Sequence, residues 1–161
     1  MVSDAMIATL TALSVTASFP FFLYGAWIML DAETVTWDVL VYHLKFIAVG
    51  LTLTTVPMVG WMIPRLSEQL GGLSALHSFL GLQAYAMLVV ALTGIVRIFQ
   101  AKRNADLYKN PDQDIDLNDL HENMSAWRGR LRIGVFGYVI FWLAAYLTGL
   151  YRYVLRYLVG G

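Results

Sequence analysis

Three histidines are the side chains of this chain best suited to grip a metal or exchange a proton: His43, His77 and His121. An imidazole ligates iron through one ring nitrogen while a hydrogen bond holds the other, which makes it a common axial ligand of haem. His43 and His77 each fall near the start of a long apolar stretch, and each is followed seventeen residues later by a glycine, Gly60 and Gly94. In the last apolar stretch Gly149 takes the matching place, but the counterpart of the histidine is Arg132, a cation able to contact an anion. On a helix of 3.6 residues per turn, His77 shares a face with Gly81, Ala84 and Leu88, and His43 with Ile47, Gly50 and Thr54. Small residues beside a histidine either let a neighbouring helix approach closely or leave room for a flat macrocycle. A third reading is plainer: an imidazole near a membrane surface satisfies itself with water or backbone.

The elements that must position these groups are four apolar stretches, about Ala5–Leu30, Val39–Pro64, Leu73–Phe99 and Leu131–Leu155, none with a carboxylate in its interior. Each exceeds the roughly 20 apolar residues that cross a ~30 Å hydrocarbon layer. Backbone groups in lipid must be bonded within their own segment, so the expected fold is all-α, a four-helix transmembrane bundle. The chain has 161 residues, 58% hydrophobic and 14% charged, so the spans and their connections leave no room for a separate soluble domain. An apolar N-terminal run without a basic flank, carrying Asp4 instead, reads as a retained first span. The polar loop 100–130 is split in character: Asp106–Asp119 is rich in Asp, whereas Leu117, Leu120, Met124 and Trp127 recur at helical spacing. That second part is expected to form an interfacial amphipathic helix before helix 4. Asp112, Asp114 and Asp116 alternate as in a calcium loop, but Leu117 stands where glycine is required and Asn123 where glutamate is required.

Lys45, Arg97, Lys102, Arg103, Lys109, Arg128, Arg130 and Arg132 fall on one side of the spans, against Arg65, Arg152 and Arg156 on the other. The positive-inside rule then puts the long loop in the cytoplasm and both termini outside, in a multi-pass protein of the plasma membrane. A net charge of zero argues against a nucleic-acid partner, and the absence of cysteine excludes disulfides, iron–sulfur ligation and thiol catalysis. Spans without intramembrane acids do not suit a proton pump or an ion-coupled carrier. The first ligand such a protein meets is membrane lipid.

Antiparallel spans two and three put His43 and His77 in opposite leaflets, about 26 Å apart at 1.5 Å per residue. Two imidazoles on one iron stand only ~4 Å apart, so this pair cannot share a haem. Two other pairings remain: His121 folded back toward His43, or Met58 or Met62 at the depth of His77.

The order of features in Val39–Leu155 resembles small four-helix b-type cytochromes, through His77-Ser78-Phe79-Leu80-Gly81 opening a helix that closes with Thr93-Gly94, and His43 opening its neighbour. The resemblance implies haem b held by His43 and His77 as ligands of separate haems; the departure is Arg132 at the span-four position. Over most of its length, Asp-rich loop included, the chain also looks like small four-span proteins accompanying cytochrome bc-type respiratory complexes in haloarchaea. That likeness implies an accessory or assembly subunit beside cytochrome b or Rieske-type partners. The expected role is therefore in a membrane electron-transfer system: a non-catalytic subunit, or alternatively a haem b or quinone-binding carrier using His43, His77, His121 and Arg132.

Overall fold

The computed structural model describes residues 3–69, 71–110 and 116–160, and every regular element among them is helical. Helix α1 spans Asp4–Asp31, opened by the Ser3 hydroxyl, which accepts the Met6 amide at 3.2 Å. Helix α2, Trp37–Pro57, runs on through a π-turn, Met58–Met62, and a 3-10 segment, Ile63–Gln69. Helix α3 spans Gly72–Asn104, beginning at a glycine with φ +55°, and helix α4, Met124–Tyr153, ends in a second π segment, Val154–Val159. All four runs are long and apolar enough to cross a membrane.

The burial pattern is inverted relative to a water-soluble domain. Most buried positions among the described residues are held by small side chains, including Ala8, Ser18, Thr54, Ala84, Ala91 and Ala145. Leu30, Phe136 and Leu158 are 82%, 70% and 65% exposed, an arrangement stable only where the outer solvent is hydrocarbon. The chain is a multi-pass membrane protein.

Its contacts fall into two compact units. The first comprises residues 1–33, 38–78 and 145–161, that is α1, the α2 run, the opening of α3 and the close of α4. Here Pro57, which has no amide hydrogen, leaves the Leu53 carbonyl without its helical donor. The sequence leads one to expect a Thr hydroxyl, with Thr54 near enough, or water to take it; Thr54 turns instead to Gly50 and Leu51, and Ser14 of α1 donates to Leu53 at 2.8 Å. The proline break in one helix is thus repaired by its neighbour.

The second unit, residues 34–37 and 79–144, packs the rest of α3 on the first part of α4. A Cβ at Gly134 would strike the Ala91 backbone, and one at Gly94 would lie 2.5 Å from the Trp127 carbonyl, so the two helix backbones are nearly in contact. The segment read as a separate interfacial helix resolves into a 3-10 turn, Leu117–Leu120, and the first turns of α4, where Met124 is fully buried. Trp37, Phe99 and Tyr108 form an aromatic cluster, with the Lys102 ammonium 5.0 Å from the Tyr108 ring. Desolvation in that cluster raises the Tyr108 phenol above its ordinary pKa. Asp112 and Asp114 of the calcium-like alternation lie outside the described residues.

Candidate functional site

His77 stands in the second turn of α3, and its Nδ1 lies 2.8 Å from the Ala145 carbonyl of α4. A carbonyl only accepts, so Nδ1 carries the proton and Nε2 is the nitrogen left for a ligand. Thr148 donates to the same carbonyl at 2.9 Å. Close approach of the ring requires Gly149: a Cβ there would lie 2.7 Å from the His77 Cε1 and 3.0 Å from Nδ1. The histidine is therefore locked by one hydrogen bond and one missing side chain.

Beside it lies a cavity of about 230 Å³. Its walls come from four places far apart in sequence: the first turns of α1, the Trp61–Arg65 end of the α2 run, the opening of α3, and the last three turns of α4 with the π segment that follows. Two phenols tie α4 to α1 along one wall, Tyr153 to Thr9 at 2.8 Å and Tyr146 to Thr16 at 3.1 Å. The charged lining consists of Asp4, Arg65, Arg152 and Arg156. Asp4 pairs with Arg65 at 2.9 Å, so three guanidiniums face one carboxylate, an excess of two positive charges with His77 neutral. Arg65 lies 5.2 Å above the Trp61 ring and Arg156 5.5 Å above Tyr157. The Trp61 Nε1 is buried and has no hydrogen-bond partner among the described residues.

The cavity lining includes none of His43, His121 and Arg132. His43 repeats the His77 arrangement, with Nδ1 2.8 Å from the Gly25 carbonyl of α1. It precedes the cavity residue Trp61 by eighteen positions, roughly 27 Å along a helix. His121 stacks on Trp127 with ring centroids 4.4 Å apart, and its Nδ1 accepts the Asn123 amide at 3.0 Å. Arg132 is exposed on α4, and neither it nor Met58 lines the cavity, whereas Met62 does. Sequence reasoning singled out the histidines and passed over Arg152 and Arg156 as orientation signals. Their i, i+4 spacing, shared by Tyr153 and Tyr157, was the readable sign of a common helix face.

The cavity beside His77, at about 230 Å³, is somewhat smaller than the roughly 300–1,000 Å³ of most drug-sized ligand pockets. No group of three or more His, Cys, Asp or Glu able to hold a metal ion exists among the described residues. The arrangement suits a small head group that carries oxygen atoms.

The chain belongs to the family described as a domain of unknown function, DUF7321, whose model matches residues 4–158. All four helices and the whole cavity lining fall within that match. No curated protein and no solved structure matches the chain.

Proposed function

We propose that this chain is a small, non-catalytic subunit of a membrane electron-transfer system, packed in the bilayer beside larger cytochrome b or Rieske-type partners. Both termini face outward and the 100–130 loop faces the cytoplasm of a cell whose plasma membrane holds the complex. One observation supports the subunit reading: His43 and His77 each hold a neighbouring helix through Nδ1 at 2.8 Å, a structural task in its own right. The same bond leaves Nε2 open to a ligand, so the haem carrier is decided by the test below. Met62 lines the His77 cavity. Such histidines act as clamps that shape the subunit.

A quinone-binding carrier is the second reading. It is favoured by the His77 Nε2, left for a ring hydroxyl or carbonyl in a cavity the size of a single ring.

The test is purification of the tagged chain from its native membrane in mild detergent. The subunit reading expects haem-containing partners to co-purify and the isolated chain to be colourless in both redox states. Recovery of the chain alone after gentle extraction would count against the subunit. A Soret band intrinsic to the isolated chain, lost in His77→Ala or His43→Ala, would restore the haem carrier.

A further inference from the structure

The cavity beside His77 has a chemistry that neither a packing subunit nor a neutral ring requires. Arg65 is neutralised by Asp4 at 2.9 Å, but Arg152 and Arg156 meet no carboxylate among the described residues. Arg152 is half-buried and Arg156 exposed, and together they give the cavity an excess of positive charge that an anion would complete. The Trp61 indole lines the same cavity. The excess of positive charge asks for an oxyanion.

We propose that this cavity binds a phosphate oxyanion, with Arg152 and Arg156 as its charge partners. Guanidinium forks match phosphate oxygens two at a time. Ala8, Ala12, Val15 and Leu150 line the same space, so an apolar body attached to the phosphate has a surface to lie against. The phosphate reaches the site either on a lipid head group or free from water. A neutral quinone ring leaves both charges uncompensated. The proposal goes beyond the subunit reading and holds whether or not that reading does.

The experiment titrates the delipidated full chain in dodecyl maltoside with three probes: dioctanoyl phosphatidylglycerol, inorganic phosphate, and decylubiquinone as the neutral ring. Binding is read by native mass spectrometry and by tryptophan fluorescence. The expected result is saturable binding of a phosphate probe, weakened at least about tenfold in Arg152→Gln/Arg156→Gln. Arg152→Lys/Arg156→Lys keeps the charge but loses the fork and is expected to bind between the parent and the glutamine variant, a graded loss that a merely misfolded variant would not give. Trp61→Phe abolishes the fluorescence response, and Lys102→Gln, outside the cavity, changes nothing. A preference for the phospholipid assigns the lipid source, and equal binding of both phosphate probes assigns the free anion; either supports the site. Failure of both phosphate probes, binding undiminished in the glutamine variant, or selective uptake of decylubiquinone would overturn it.

Discussion

The bond from Ser14 to the Leu53 carbonyl offers a direct test of how this fold tolerates a proline inside a span. Pro57 cannot donate to the carbonyl four residues before it, and within a span that carbonyl needs another donor. Ser14 fills the gap at 2.8 Å from a different helix. Ser14→Ala orphans the carbonyl, and the expected cost is about 1–2 kcal/mol. That lies between the ~0.6 kcal/mol average for bonds between membrane helices and the 1–3 kcal/mol of an unpaired buried polar group. Pro57→Ala restores an amide hydrogen that can take the same carbonyl within α2. In that background Ser14→Ala is expected to cost under about 0.5 kcal/mol, giving a coupling energy near 1 kcal/mol, or about fivefold in the unfolding equilibrium constant. Reversible unfolding of all four proteins in mixed dodecyl maltoside–SDS micelles measures the cycle. Equal cost of Ser14→Ala in both backgrounds would refute the repair argument, because the serine would then be stabilising something other than the proline gap.

Four further outcomes follow from contacts already described. Gly149→Ala drives a methyl to 2.7 Å from the His77 Cε1, so a loss of about 1–3 kcal/mol is expected; it should largely vanish in His77→Ala, as thermal melting in detergent can check. Gly134→Ala meets rigid backbone at Ala91 rather than a movable side chain; SDS unfolding should report a loss above about 2 kcal/mol. Tyr153→Phe removes the bond to Thr9 and is expected to cost about 0.5–1.7 kcal/mol in the same assay, with retained binding separating this tie from the ligand site. Asp4→Asn breaks a pair whose side chains are 61% and 33% exposed, so its melting point should move by no more than about 1 kcal/mol allows.

What could be read in advance followed physical range. The four helices were legible because a span must be apolar along its whole length, and α1 departs from its expected limits by one residue at each end. Hydropathy loses the helix where the membrane ends: α3 continues through Gln100–Arg103 to Asn104, since those residues favour helix without favouring lipid. Likewise the spacing of Met124 and Trp127 was correctly helical, but a period cannot tell a separate surface helix from the first turns of α4. The repair of Pro57 by Ser14, rather than by Thr54, depends on which neighbour faces the gap. The cavity was least legible. Its charges come from positions 4, 65, 152 and 156, and only the packing of α1 against the close of α4 brings them together.

The paired rungs Thr9–Tyr153 and Thr16–Tyr146 bridge 144 and 130 residues and join α1 to α4, the earliest and latest made of these four helices. Nothing local can hold that seam while synthesis proceeds, so both threonines wait in lipid for partners that arrive last. Insertion and assembly are thereby separable events: three helices can sit in the bilayer before the cavity exists, and its wall is complete only with α4 and the π segment that follows it. A ribosome stalled after α3 leaves an inserted protein with an open flank where its fourth wall belongs, a ready substrate for membrane quality control.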